Sequence, residues 1–361
     1  MFGRALLVVV VALLWVSVSA PAQARVPDGF LGVVADRAAT DGTVSFPRQL
    51  RWMRRSGATA VGLSFSWAAT QPVQGGPLRW SRIDGQVRAA ARAGLAIHPV
   101  VITAPDWARV DPDREFSPPA DPEAYAAFCV ELVRRYGPQG TFWAANPSVP
   151  RRPIRAWQVW NEPVGGAGDD TPSVFWPDQP FQARYVPLLR AASAAIHNAD
   201  PGAKVVLGAL VGRSWQTLQL LYDADARGAF DAVALHPYTA KPANVVRIVR
   251  SVRATMRRNG DGALPIQITE LGWPAFDAAD VRALGEAQAA RTQAWWLRET
   301  FRRLTAQRRA LGLELLLWYT WIGRDRSRQD AFDHSGLVRL RPDGKLVAKP
   351  ALHAFQQIAR G

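Results

Sequence analysis

Eight short runs of aliphatic and β-branched residues recur along the 361-residue chain, separated by longer stretches of helical periodicity. The runs lie at 29–35, 60–66, 96–103, 154–160, 204–209, 232–236, 266–270 and 314–319. Amphipathic patterns fill intervals between them, at 80–93, 121–136, 181–198, 243–259 and 287–308, with a last one at 352–359. Strands that alternate with helices run parallel, because each helical crossover returns the chain to the same end of the sheet. Eight such units close naturally on themselves, so the pattern predicts an α/β fold, a (β/α)8 barrel. An open doubly wound sheet is the alternative. A dinucleotide-binding sheet of that kind wants a GxGxxG turn after its first strand, and none follows here. With no internal repeat beyond the βα period and no low-complexity linker, residues 25–361 read as one domain.

The start of the chain reads as a targeting segment. Met1 to Arg4 carry one positive charge, an unbroken apolar run extends from Ala5 to Val16, and Val18-Ser19-Ala20 and Ala22-Gln23-Ala24 both offer small-x-small cleavage sites. This predicts a signal peptide over 1–24, and a secreted or cell-envelope-associated mature protein without a membrane span. An uncleaved anchor is the competing account, but the apolar stretch falls short of the roughly 20 residues a spanning helix needs. Cys129 is the only cysteine, which excludes an internal disulfide, and its place in a helical pattern predicts a packed thiol. The net charge of +14 comes from arginine, since Lys204, Lys241, Lys345 and Lys349 are the only lysines. Spread over many helices, the arginines fit a compositional bias better than a binding patch; attraction to an anionic cell-surface polymer is the functional alternative. No nucleic-acid motif is present, and His98, His197, His236, His334 and His353 show no metal-ligand spacing. Neither metal nor cofactor is expected.

In a (β/α)8 barrel the chemistry sits on the loops that follow the C-terminal strand ends. Polar and aromatic residues gather there. Glu162 closes Val159-Trp160-Asn161-Glu162-Pro163 and Glu270 lies in Ile268-Thr269-Glu270-Leu271-Gly272-Trp273, two carboxyls that strands four and seven would bring to one rim. Such a pair suits glycosidic bond cleavage, in which one carboxyl protonates the leaving oxygen and the other attacks or stabilises the sugar carbon. Asn161 and Glu162 are adjacent, so they share the barrel mouth only if the strand ends and bends between them. Glu270 sits in an apolar stretch and needs donors when buried; Tyr238 is the best candidate, and an arginine salt bridge the alternative. His236 and Tyr238 end strand six beside the same rim. Trp67, Trp107, Trp176, Trp273, Trp318 and Trp321 follow strand ends and are expected to stack on sugar faces. The loop over 164–180 is long enough to form a wall or lid of a cleft.

Together these motifs resemble clan A glycoside hydrolases. Trp160-Asn161-Glu162-Pro163 on strand four, His236-Pro237-Tyr238 on strand six, Thr269-Glu270-Leu271-Gly272-Trp273 on strand seven and Trp318 on strand eight look most like family 39 and its single-domain, polysaccharide-directed relatives. The resemblance runs from about Gly32 to Ala354. It implies a retaining hydrolase of O-glycosidic bonds in a β-linked oligo- or polysaccharide, with Glu162 as acid/base and Glu270 as nucleophile. It also implies that Tyr238 orients the nucleophile and Trp318 floors the reacting-sugar subsite. One departure stands out: relatives often carry an arginine in strand two that supports the nucleophile, and Gly62 occupies that place here. The family's xylosidases bear an extra β-sandwich, for which too few residues follow strand eight. A non-catalytic glycan-binding barrel and a transglycosylase using the same site are the rival readings, and a monomer is expected.

Overall fold

The computed structural model of the protein describes residues 26–165, 173–177, 180–275, 285–325 and 330–360. The segment read as a signal peptide lies outside the described residues, as does most of the glycine- and aspartate-rich part of the 164–180 loop. Eight parallel strands form a closed barrel: β1 (Leu31–Val34), β2 (Ala60–Ser66), β3 (Ala96–Ile102), β4 (Ala156–Val159), β5 (Lys204–Val211), β6 (Ala232–His236), β7 (Ile266–Ile268) and β8 (Leu313–Trp318). Closure is made where β8 pairs with β1, Leu31 opposite Leu316. All eight strands coincide with the runs read from the sequence, displaced by a few residues at their ends.

The period-two alternation of each strand divides inside from outside. In β2, Val61, Leu63 and Phe65 are fully buried in the main hydrophobic core, which lies between the barrel and its helices, while Ala60 packs inside the barrel with Leu315 and Leu317 of β8. Helices cover the outer face. The helix Pro122–Tyr136 starts where Asp121 accepts the Glu123 backbone N–H, with proline at its first position, and buries Tyr125, Phe128, Cys129, Leu132, Val133 and Tyr136 along one stripe. Each large side chain buried this way contributes roughly 1.5–3 kcal/mol of transfer free energy. Cys129 is packed as expected, and burial pushes its thiol up to about 12.

Two of the longer helices were not legible as such, Phe46–Arg55 and Ser214–Asp223. In the first, Gln49, Leu50 and Met53 are the buried positions among four arginines, a stripe too thin to register as periodicity. Beyond β8, strands β9 (Ile322–Gly323), β10 (Val338–Leu340) and β11 (Leu346–Ala348) form a small sheet of their own. Phe332, between β9 and β10, lines the pocket at the barrel mouth.

Candidate active site

β4 ends at Val159, and the chain then leaves the sheet through two residues in left-handed backbone, Trp160 at φ 66° and Glu162 at φ 37°. Non-glycine residues adopt that region at a cost of order 1–3 kcal/mol each, sustained where the surroundings over-determine it. Trp160 supplies the restraint. Its ring is fully buried, edge-on to Tyr125 and Trp176, and its Nε1 donates to the Phe175 carbonyl at 2.6 Å. The reversal lets the neighbours Asn161 and Glu162 face one pocket. Gln158 steadies it from below, donating through Nε2 to the Trp160 carbonyl at 3.0 Å and to Asn161 Oδ1 at 3.4 Å.

His236 closes β6 and joins the two carboxyls. Its Nδ1 lies 2.6 Å from Glu162 Oε1 and 3.6 Å from Glu270 Oε2, and its Nε2 faces Thr269 Oγ1 at 3.0 Å. A neutral ring that donates from Nδ1 to Glu162 accepts the Thr269 hydroxyl at Nε2, which fixes its orientation. Tyr238 donates its hydroxyl to Glu270 Oε2 at 3.0 Å, and among the described residues no arginine or lysine pairs with either glutamate. A carboxylate oxygen from each glutamate and a His236 ring nitrogen all lie within 4.8 Å of one another. Three donors so placed could converge on a cation; here they are committed to hydrogen bonds with each other, Tyr238 and Thr269.

Charge is crowded at this point. Burial pushes Glu270 up to about 7, opposed by His236 and by the Tyr238 hydrogen bond, and reinforced by Glu162 across the mouth and by Asp36. Burial alone would lower His236, but the charge of Glu270 and the hydrogen bond to Glu162 hold its ring above the usual imidazole range. The site thus retains a proton near neutrality while an oxygen of each carboxyl lies within 4.8 Å of the other.

Above the pair opens a pocket of about 430 Å³, lined by Asn161, Glu162, Phe175, Val211, Gly212, Tyr238, Glu270, Tyr319 and Phe332. That volume lies in the range of small-molecule sites. Phe332, 46% exposed, stands edge-on to Tyr238 and Tyr319 at 5.2 and 5.5 Å, and Phe175 leans on Phe116 from another side. Tyr319 is held against Glu270's strand because Gly272 lacks a side chain: a Cβ there would come 2.1 Å from the Tyr319 carbonyl oxygen. Tyr319 N in turn donates to the Leu271 carbonyl at 3.0 Å.

The tryptophans take a different place from the one expected of them. Trp67, Trp176, Trp273, Trp318 and Trp321 are at most 3% exposed, which leaves no face for a sugar. Trp67 stacks on Phe128, Trp176 packs between Trp160 and Tyr185, and Trp318 packs on Phe301 and Trp273 with its Nε1 bonded to the Ser335 carbonyl. Trp273 donates to the Thr239 carbonyl and Trp321 to Gln49. Trp107 is half-buried, edge-on to Trp67 and bonded to the Gln71 carbonyl, away from the pocket lining. Tyr319, and not Trp318, lines the pocket. Strand alternation carried that information: Leu315 and Leu317 face into the barrel, so Trp318 points out to the helices and Tyr319 in. Phe332, Val211, Gly212 and Thr269 also went unread, Phe332 because it lies on a turn far beyond the last barrel strand.

Fold and site together define a class: a (β/α)8 barrel with two glutamates, bridged by His236, just beyond the ends of its fourth and seventh strands. Solved structures similar to it include glycoside hydrolases. A family 39 glycoside hydrolase from the gut symbiont Bacteroides cellulosilyticus matches with a TM-score of 0.67 at 20% identity, over 91% of this chain and 63% of that one. A monomeric β-xylosidase from Caulobacter crescentus matches at 0.65 and 20% identity, over 92% and 68%. An intracellular xylanase from Thermoanaerobacterium saccharolyticum matches at 0.56 and 16% identity, over 92% and 99%. The chain therefore spans less than two thirds of the first of these, and at such identities the likeness is one of fold. No family model matches the sequence, and no curated protein does.

Proposed function

We propose that the protein is an exported retaining glycoside hydrolase acting on a β-linked glycan. The observation that carries this reading is the approach of the Glu162 and Glu270 carboxylates to within 4.8 Å at the floor of an aromatic-walled pocket. Inverting enzymes hold their carboxyls about 6.5–9.5 Å apart to admit a water, whereas retaining enzymes hold them near 5–5.5 Å. In the first step Glu162 protonates the leaving oxygen while Glu270 attacks the anomeric carbon, forming a glycosyl ester. In the second, Glu162 takes a proton from water, which opens the ester and restores both carboxyls. His236 bridges the pair and is itself held by Thr269, so it can keep Glu162 aligned through both steps. Asn161 at the pocket wall is placed to bond a sugar hydroxyl.

The test is a panel of activated aryl glycosides and polysaccharides with native enzyme, Glu162→Gln and Glu270→Gln. Turnover that falls by about 10²- to 10⁴-fold on loss of the acid/base, and further on loss of the nucleophile, is the expected result. Glycan binding without turnover in the native protein would favour a non-catalytic barrel instead. Products extended by an added acceptor sugar would mark a transglycosylase.

A further inference from the structure

The barrel interior beneath the catalytic pair mixes branched side chains such as Val34, Val206 and Leu317 with polar ones, Gln158, Gln267 and Thr269, and with a few small ones. Gly62 and Ser64 of β2 and Ala156 of β4 face a chamber of about 40 Å³ whose wall includes Glu270. Ser64 is exposed although its neighbours Leu63 and Phe65 are fully buried, so the surface it keeps belongs to the chamber. His98 of β3, half-buried, lines the same space; burial, opposed by Glu314 and reinforced by Lys204, pushes its ring down to about 4, so it is neutral at physiological pH. Among the described residues, neither the Ser64 hydroxyl nor the His98 ring has a hydrogen-bond partner, and Glu270 receives a hydroxyl donor on Oε2 alone. Gln158 Oε1, on the same wall, is buried without a partner; a polar group so left costs about 1–3 kcal/mol, and a polar chamber larger than roughly 10–15 Å³ takes up water.

We propose that this chamber is a built water site, in which two or three ordered waters connect Ser64 and His98 to Glu270 and hydrogen-bond its carboxylate from beneath. The waters supply donors to the ionised nucleophile where no guanidinium or ammonium does so. The groups facing Glu270 elsewhere are Glu162 from β4, His236 and Tyr238 from β6, Asp36 beyond β1 and Tyr319 beyond β8. Two of these, Glu162 and Asp36, oppose its ionisation, so donors from the neutral underside shift the balance towards the carboxylate. The functional consequence rests on Glu270 being the nucleophile of the proposed reaction; the water site itself does not.

Two measurements on the full chain test this without turnover. A crystal structure at a resolution that orders internal water should show waters within hydrogen-bonding distance of both Ser64 Oγ and Glu270, displaced in Ser64→Val. Infrared titration of the Glu270 carboxyl, assigned by difference from Glu270→Gln, should show its ionisation moved up by about one pH unit in Ser64→Val. A dry chamber, a metal ion in it, or an unmoved titration would overturn the proposal. Should Ser64→Val not fold, Ser64→Ala removes the hydroxyl without adding bulk, and its titration should move in the same direction; no movement is again contrary. A shifted titration in a protein that hydrolyses no glycoside would sink the hydrolase reading and leave the water site standing. Hydrolysis with an unshifted titration would do the reverse.

Discussion

Two carboxyls within 4.8 Å in a buried site resist carrying charge together, so their ionisation belongs to the pair. With burial and Glu162 pushing Glu270 up to about 7, the carboxyl pair gives up a proton as the pH passes that value. The mechanism needs one proton on the pair: two leave no nucleophile, and none leaves no acid. Activity is therefore expected to be bell-shaped in pH, with an optimum on the acid side of neutrality and an alkaline limb near 7; a kcat/KM profile still rising above pH 8 would contradict this. The aromatics give a second test. Phe332→Ala, at an exposed wall, should raise KM with little change in thermal stability, whereas Trp318→Ala, fully buried, should cost about 3–5 kcal/mol of folding free energy in a denaturant titration. The glutamates, His236 and Tyr238 were legible because polar residues at the ends of apolar strands have few structural reasons to be there. The tryptophans were not, since the same ring serves a core or a cleft, and the sense of the strand alternation, not the residue type, decides between them.

At the scale of elements, the seventh strand is short, Ile266–Ile268, yet it carries Glu270 and must be fixed by its surroundings. Arg253, on the helix Pro242–Arg258, is buried and donates to the carbonyls of Gly262 and Leu264 just before β7 and of Leu311 at the end of the preceding β8 helix. It ties the loop that feeds β7 to the helix that feeds β8. Removing it leaves those carbonyls unpaired, so Arg253→Ala should destabilise the protein by about 3 kcal/mol, against less than about 0.5 kcal/mol for the exposed Arg257→Ala. Equal effects in chemical denaturation would show that Arg253 is not such a tie. The eight strands and six of the long helices were legible in the sequence because each has a clear inside and outside face. The small sheet of β9, β10 and β11 was not, because two or three residues are too few to show an alternation, and its pairing depends on residues brought together from opposite sides of a long turn.

For the molecule as a whole, the closed barrel brings together what the chain keeps 108 residues apart, Glu162 and Glu270, and it does so by strand order rather than by local sequence. Among the described residues no helix is long and apolar enough to cross a membrane. The charge of +14 does not concentrate at the pocket, whose charged lining is the two glutamates, so substrate choice there depends on shape and hydrogen bonding more than on the basic surface. The proposed reaction is a double displacement, in which the paired carboxylates open a glycosidic bond. Proton NMR of the first products released from an activated glycoside reads this at the anomeric centre: the starting configuration should be kept, and an inverted product would contradict the account.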